Sequence, residues 1–228
     1  MAGKKLNLGC GDHHPKGWVN ADTFSATNPD VLLPMPYLGH TTSGPLPWED
    51  DTFSQVLISH VLEHIHLEEV DLFLGEVRRV TKIGGRVLII CPDIKEMLRD
   101  FLSPEGFVDG WEMDNEGLFF EFALEDDRHR IDARQPELPH SDHRWNTYGS
   151  RLLEKVQRTF PDSELLGTRG VTDWRGETNI TGTTGTCIGE GTPEEEYIWT
   201  DKNGYVWPTA SWHKYSCSVL AQHTGTSG

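Results

Sequence analysis

The sequence has no long apolar run, few cysteines and a shortage of basic residues. No stretch is apolar over the roughly 20 residues that cross a bilayer, and residues 1–5 lead directly into a short apolar segment. We therefore expect neither a membrane span nor a signal peptide. The four cysteines are Cys10, Cys91, Cys187 and Cys217. Because they lack metal-type pairing, we expect reduced thiols in a cytoplasmic protein.

The balance of charge is strongly acidic, with 36 acidic against 20 basic residues and a formal net charge of −16. A protein that binds the backbone of a nucleic acid needs a basic track along its surface. The composition therefore disfavours a nucleic-acid partner and favours a small-molecule one. The length of 228 residues suits one domain with a sizeable core, so we predict a single domain over residues 1–228.

The first two dozen residues carry the most informative pattern. Leu6-Asn7-Leu8 predicts a buried strand that stops at Gly9-Cys10-Gly11, and residues 17–22 predict a second strand that ends in an acid, Asp22. Glycines allow positive φ and let backbone approach a ligand that a Cβ would push away. A carboxylate at the end of the second strand can accept hydrogen bonds from both hydroxyls of a ribose. This is the skeleton of a Rossmann-type nucleotide site, although the third glycine is missing.

Three further segments follow this opening in order. They are residues 46–53 (LPWEDDTF), 59–65 (SHVLEHI) and 76–80 (EVRRV), the last running into Gly84-Gly85. With the opening, they resemble class I S-adenosylmethionine-dependent methyltransferases, in particular the methyltransferase type 11 family. The resemblance is good over residues 5–93 and loose over the remainder.

The resemblance implies S-adenosylmethionine as the cofactor, S-adenosylhomocysteine as its product, and a defined set of cofactor-binding residues. These are Asn7, Gly9, Cys10, Gly11, Asp22, Thr23, Thr42, Ser43, Leu46, Ser59 and His60. The chain departs from the family at one of these positions. Where the family has an aspartate that contacts the adenine, this chain has Thr42, with Ser43 next. Backbone groups would have to make that contact instead.

The order of elements predicts an α/β fold with a Rossmann-like, seven-stranded-type, mostly parallel sheet, helices on both faces and an antiparallel C-terminal strand. Residues 55–59 and 86–91 are continuous apolar runs, as expected of strands that are buried on both sides. Apolar residues recur at helical spacing over residues 67–82 and predict a helix that ends at Gly84-Gly85. Further helices are predicted over residues 94–102 and from Thr147 or Ser150, and strands at 31–33, 164–166 and 215–221.

Candidate catalytic residues lie where open parallel sheets bind ligands, at the carboxyl ends of the strands. His60 follows the fourth strand and Asp93 follows the fifth, and either could take a proton from a hydroxyl or amine acceptor. The resemblance adds His143, since a His-basic-aromatic run in the family commonly lines the acceptor site. Each candidate has a purely structural alternative, such as a hydrogen-bonded histidine or a helix cap.

Other patterns near these residues suggest chemistry that we weigh lower. His60, Glu63 and His64 spell the H-x-x-E-H of a zinc peptidase family, but such a site needs these residues within one helix and a further ligand downstream. We predict no metal. His13 and His14 adjoin the glycine turn and could approach the cofactor's carboxylate or lie in solvent.

The acceptor is the least constrained part of the interpretation. Residues 94–148 combine acids with aromatics, and residues 172–212 are rich in glycine, threonine and glutamate, so both segments are candidates for covering the substrate. The resemblance to glycan-modifying enzymes favours O-methylation of a sugar hydroxyl or a similar small polar acceptor. The alternatives are a small aromatic or amine metabolite, or a protein that binds S-adenosylmethionine without catalysis.

Overall fold

The computed structural model describes residues 3–33, 45–101, 145–167, 198–201, 203–208 and 216–225. Nine strands and three α-helices lie in these ranges. The strands are β1 (Lys4–Leu8), β2 (Val19–Asp22), β3 (Val31–Leu32), β4 (Phe53–Ser59), β5 (Thr81–Pro92), β6 (Glu164–Gly167), β7 (Ile198–Thr200), β8 (Val206–Pro208) and β9 (Ser216–Gln222). The helices are α1 (Val70–Val80), α2 (Ile94–Phe101) and α3 (Gly149–Gln157).

Seven strands form one sheet in the order β3-β2-β1-β4-β5-β9-β6. The pairs from β3 to β5 are parallel, whereas β9 runs antiparallel to both β5 and β6. The predicted mostly parallel α/β sheet with an antiparallel C-terminal strand is confirmed. The chain leaves β1 on one side toward β2 and returns on its other side as β4, which creates a switch point between β1 and β4.

The two faces of the sheet bury alternate residues of the central strands. Val87, Ile89 and Cys91 of β5 lie in the larger core with residues of α1 and α3, while Leu88 and Ile90 lie in a second core on the opposite face. This alternation explains why the strand is apolar at consecutive positions, since both faces are covered. The helices α1 and α3 therefore share one face of the sheet.

On the opposite face, the described residues show an antiparallel hairpin of β7 and β8. Trp207 of β8 is 0% exposed in the second core, and its ring lies 6.0 Å from the ring of Trp18. The backbone carbonyl of Val206 accepts a hydrogen bond from Gln55 of β4 (3.0 Å). The sequence did not predict this hairpin, because β7 and β8 are only three residues each and carry no alternating pattern.

Helix α1 buries the predicted face, but it ends earlier than predicted. Its last residue is Val80, and Thr81 is already extended with φ −85° and ψ 129°. Thr81 pairs with Phe53 in the sheet, and its hydroxyl donates to the carbonyl of Val77 (2.6 Å). The prediction that Gly84-Gly85 ends the helix was therefore wrong: both glycines lie within β5, where Gly84 has a φ of +82°.

The start of α3 also differs from the prediction. Its N-cap is Tyr148, which makes no side-chain capping bond. Thr147 or Ser150 was the predicted cap. The hydroxyl of Thr147 instead donates to the carbonyl of Pro92 (2.5 Å), which ties this segment to the end of β5, and Ser150 lies within the helix. The cap position therefore falls between the two predicted residues.

Several predictions fall outside the described residues. These are Thr42, Ser43, His143, the acidic and aromatic stretch within 94–148 and most of 172–212. Among the helices that the structure describes, none is long and apolar enough to cross a membrane.

Candidate active site

The glycine turn after β1 is held by the end of β2. The amides of Gly9 and Cys10 both donate to the carbonyl of Ala21, at 2.8 and 3.1 Å. Gly9 has a φ of +73°, and a Cβ at this position would lie 2.2 Å from a methyl carbon of Val61. A side chain at Gly9 is therefore excluded by both backbone conformation and packing.

Gly11 has a different surrounding. Its φ is +51°, yet a Cβ built on it would meet no heavy atom within 4 Å. The residue therefore borders open space at the carboxyl edge of the sheet, beside the switch point between β1 and β4. A ligand can approach the backbone closely here, which is what the glycine spacing predicted.

Asp22, at the end of β2, turns its carboxylate toward this turn. One oxygen accepts from the amide of Gly11 (2.8 Å) and the other from the amide of Phe24 (3.0 Å), and the residue is only 5% exposed. An ionised carboxylate has about four lone-pair directions, so two N–H bonds leave acceptor capacity for ligand hydroxyls. The turn and the carboxylate are thus fixed relative to each other.

Asn7 of β1 stabilises the end of the glycine turn. It is buried, and its amide nitrogen lies within hydrogen-bond distance of the carbonyl of His13 (2.8 Å) and the side-chain oxygen of Asn20 (3.2 Å). Asn20 is in turn anchored to the carboxylate of Asp30, through its backbone amide and its side chain. Among the described contacts, Asn7 thus links the two strands and the end of the turn.

Cys10 is buried under the turn. Burial, followed by the nearby charge of Asp22, raises the pKa of its thiol to about 12. His14 lies 3.4 Å from the sulfur and 2.9 Å from the carbonyl of Gly11. The thiol is therefore neutral at physiological pH, which fits a small packing residue and not a nucleophile.

The segment before β4 is held against α1. Leu46 is buried; its amide donates to the carboxylate of Glu76 (2.8 Å), and its carbonyl accepts from Arg79 (3.0 Å). The same arginine donates to the carbonyl of Trp48 (2.7 Å) and to Asp50 (2.8 Å). The hydrogen bonds from Arg79 lower the pKa of the Glu76 carboxyl. This pair on α1 therefore fixes the position of the predicted Leu-Pro-Trp segment.

His60 directly follows β4 and has a left-handed backbone, with a φ of +54°. Its amide donates to the carbonyl of Ile90 on β5 (2.9 Å). Its ring nitrogen Nδ1 lies 3.3 Å from the carboxylate of Glu63, and Nε2 lies 3.4 Å from the hydroxyl of Ser216 on β9. The side chain is 24% exposed, so a bound acceptor could reach it.

The H-x-x-E-H residues do not share an α-helix. His60 precedes a single 3-10 turn, Leu62–His64, that contains Glu63. Within the described residues, no group of three histidine, cysteine or acidic side chains is arranged to hold a metal ion. The local geometry is therefore not that of a helical zinc site.

Asp93, the other predicted base, makes the contacts of a structural cap. One oxygen accepts from the amides of Lys95 (3.0 Å) and Glu96 (3.2 Å) in the first turn of α2, and the other from Gly149 at the start of α3 (3.2 Å). The residue is buried, and burial raises the pKa of its carboxyl above the usual value. Its lone pairs thus serve two helix ends.

The structure brings most predicted residues to one edge of the sheet. Asn7 belongs to β1, and Gly9 to Gly11 follow that strand. Asp22 ends β2, Ser59 ends β4 and His60 comes next. Thr23 is buried just after Asp22. Sequence reasoning missed the contacts of Glu63 and Ser216 with His60, and those of Glu76 and Arg79 with Leu46.

Comparisons with known proteins find similarity in part of the sequence and in the fold. Residues 6–89 match the sequence model of the Methyltransf_11 family, described as "Methyltransferase domain". The demethylmenaquinone methyltransferase of Thermobifida fusca (strain YX) is 52% identical over 46 residues, 20% of this chain and 18% of that protein. The chain therefore matches about a fifth of that relative's length.

Two solved structures are similar in fold. A methyltransferase from Thermotoga maritima is 11% identical, with a TM-score of 0.47, over 98% of this chain and 83% of that one. A methyltransferase from Archaeoglobus fulgidus is 12% identical, with a TM-score of 0.45, over 97% and 86%.

The family match and the sheet topology together define the class: the chain carries a class I, S-adenosylmethionine-dependent methyltransferase domain. The match to the Methyltransf_11 family model covers residues 6–89 of that domain.

Proposed function

We propose that the protein transfers the methyl group of S-adenosylmethionine to a hydroxyl of a sugar or a similar small polar acceptor. The observation that carries the methyl-transfer part is the joint presence of the family match over residues 6–89 and a buried Asp22 beside an open glycine turn. The acceptor is the more specific part of the proposal and needs its own test.

The residues present fit the cofactor. Open space borders Gly11, where a side chain would occupy the room a ligand needs. Asp22 keeps acceptor capacity for ribose hydroxyls after its two backbone bonds. Leu46 is 3% exposed, and Leu46, Thr42 and Ser43 remain proposed adenine contacts by resemblance alone.

When bound, S-adenosylmethionine supplies a methyl group that is already activated on a sulfonium. The protein's part is to orient the acceptor, exclude water and remove a proton from the attacking hydroxyl, the last of these typically accounting for about 10²–10⁴-fold in rate. We assign the role of accepting this proton to Nε2 of His60. Asp93 is not assigned this role, since three amides occupy its oxygens. His143 stays a candidate for the acceptor site by resemblance.

The case for a sugar acceptor rests on the family's occurrence among glycan-modifying enzymes and on the aromatic and acidic residues of 111–145 and 197–212, which could stack on and hydrogen-bond to a sugar. Two aromatics of these segments have other contacts in the structure. Trp207 is fully buried, and its indole donates to the carboxylate of Asp201 (3.2 Å). Trp145 is also buried, and its indole donates to the carbonyl of Leu62 (2.9 Å).

The location of the protein is part of the proposal. Cys10, Cys91 and Cys217 are free thiols and all are buried. Free thiols are typical of a reducing compartment, which supports a cytoplasmic location.

The function can be tested by measuring S-adenosylhomocysteine formation with mass spectrometry. Purified protein and S-adenosylmethionine would be incubated with panels of sugars, amines and phenols. We expect turnover with the sugar panel, and a large loss of turnover in His60→Ala at unchanged affinity for S-adenosylhomocysteine. Turnover with amines or phenols alone would show that the acceptor belongs to that class and not to the sugars. Tight binding of S-adenosylhomocysteine without turnover on any panel would favour a non-catalytic role.

A further inference from the structure

The imidazole of His60 lies between an acid and an alcohol. Nδ1 is 3.3 Å from a carboxylate oxygen of Glu63, and Nε2 is 3.4 Å from the hydroxyl of Ser216. The Glu63 side chain is 0% exposed, whereas that of His60 is 24% exposed. The carboxylate therefore contacts the side of the ring that faces the protein interior.

The protonation of one imidazole nitrogen depends on the hydrogen bond made by the other. A carboxylate beside Nδ1 favours a proton on that nitrogen, because the ionised carboxylate can only accept. Nε2 then carries the lone pair, which lies 3.4 Å from the Ser216 hydroxyl in this structure; a bound acceptor hydroxyl would take the place of Ser216 at that lone pair. An imidazole in this form can accept a proton at Nε2, as a general base requires.

The backbone around the pair is fixed from several directions. His60 has its left-handed φ of +54° and donates its amide to Ile90. The turn Leu62–His64 is closed by the amide of His64 on the carbonyl of Val61 (3.0 Å), and the indole of Trp145 donates to Leu62. Non-glycine residues keep such backbone strain only where the surrounding structure imposes it, often at functional sites.

Two buried thiols lie near the Glu63 carboxylate. Cys91 of β5 and Cys217 of β9 face each other in the sheet as free cysteines. Burial, and then the charge of Glu63, raises the pKa of the Cys91 thiol. The thiol is therefore neutral, and its S–H interacts with the Glu63 carboxylate, which is shared between Cys91 and the His60 ring.

We propose that Glu63 is a positioning residue that holds His60 as the Nδ1–H tautomer and so leaves Nε2 available to accept the acceptor's proton. The inference rests on the proposed function, in which His60 is the base. Glu63 itself touches neither cofactor nor acceptor in this proposal. A purely structural role for Glu63, as a buried residue of the turn, would leave the tautomer of His60 unchanged.

The test is ¹⁵N NMR of histidine-labelled protein, which distinguishes the two neutral tautomers from the shifts of the ring nitrogens. We expect the Nδ1–H form of His60 to predominate in the wild type at a pH where the ring is neutral. In Glu63→Gln, the ratio of Nδ1–H to Nε2–H should fall by about tenfold, because the negative charge 3.3 Å from Nδ1 is replaced by a neutral amide. The resonance of His60 would be assigned by its absence from His60→Ala.

Ser216→Ala is the matched control, because it changes the other side of the same ring. It should keep the Nδ1–H form if Glu63 determines the tautomer. A predominant Nε2–H form in the wild type, or a tautomer that changes in Ser216→Ala and not in Glu63→Gln, would overturn the inference. If Glu63→Gln does not fold, as judged by circular dichroism, Glu63→Asp provides the comparison, because its side chain is one methylene shorter and its carboxylate lies farther from Nδ1.

The outcome is separable from that of the proposed function. The NMR experiment needs no acceptor, so it can fail while sugar methylation by His60 succeeds. Conversely, an Nδ1–H tautomer that depends on Glu63 would stand even if no acceptor on the panels were methylated.

Discussion

The carboxyl ends of β2 and β5 each carry a buried aspartate, and the two residues have different surroundings. Asp22 accepts two backbone amides, both from loops, and its 5% exposed carboxylate adjoins Gly11, which borders open space. Asp93 accepts three amides, from the first turns of two helices, and is almost wholly enclosed. An acid at a strand end is thus a candidate ligand only when its lone pairs are not already used by the fold.

The largest effect is expected at Asp93. Asp93→Ala leaves three amides at the starts of α2 and α3 without their acceptor, so the free energy of unfolding should fall by about 3 kcal/mol. Urea denaturation measures this change. Asp93→Asn is the control, since it keeps one acceptor oxygen and should lose less. A fall of under about 1 kcal/mol in Asp93→Ala would show that the cap contributes little.

A smaller effect, on binding and not chiefly on folding, is expected at Asp22. Asp22→Ala should weaken the binding of S-adenosylhomocysteine by roughly 1–3 kcal/mol, because charge-assisted bonds to the ribose are lost. Isothermal titration calorimetry measures the affinity. Asp30→Ala offers a comparison, as that acid supports Asn20 behind the turn. Equal affinity in wild type and Asp22→Ala would place the ribose elsewhere.

His60, at the end of β4, differs from both aspartates, because its distinguishing feature is a strained backbone. His60→Ala and His60→Gly both remove the imidazole, but only glycine adopts a φ of +54° without cost. The glycine variant should therefore be more stable than the alanine variant by about 1 kcal/mol. Thermal unfolding of the two variants measures the difference. Equal stability would mean that the backbone relaxes in the variants.

The smallest expected effect is a pH dependence of the free energy of unfolding that comes from Asp93. Burial raises the pKa of Asp93 in the folded state above its ordinary value of 3.8. The folded protein then binds this proton more tightly than the unfolded chain, so the contribution is present below 3.8 and is lost as the pH rises through the raised folded value. Wild type should lose stability relative to Asp93→Asn over that interval, measured by urea denaturation. An opposite slope would contradict the raised pKa.

Sequence reasoning predicted the parallel part of the sheet because its signals are local. The apolar runs that end at Leu8 and Ser59 each mark a buried strand by themselves, and the connection rules make neighbouring strands parallel. The end of α1 was missed because Thr81 pairs with Phe53, a contact across 28 positions. A local glycine signal could not reveal that pairing.

The acceptor half was less accessible for the same reason. Ser216 reaches His60 from 156 residues away. The proposed role of Glu63 depends on a 3-10 turn that buries its side chain, and the sequence analysis did not predict that turn. Asp93 had the position of a catalytic base, and only its contacts with Gly149 and α2 revealed a cap. Long-range contacts decide these roles, and no spacing in the sequence records them.

The most direct test of the central claim is a titration of ¹⁵N-glycine-labelled protein with S-adenosylhomocysteine, followed by amide NMR shifts. The amides of Gly11 and Gly149 bond to Asp22 and Asp93, respectively, so they report on the two strand ends. We expect saturable shifts at Gly9 and Gly11, and little change at Gly149. Saturation without shifts at Gly9 and Gly11, or no binding at all, would contradict a cofactor site at the glycine turn.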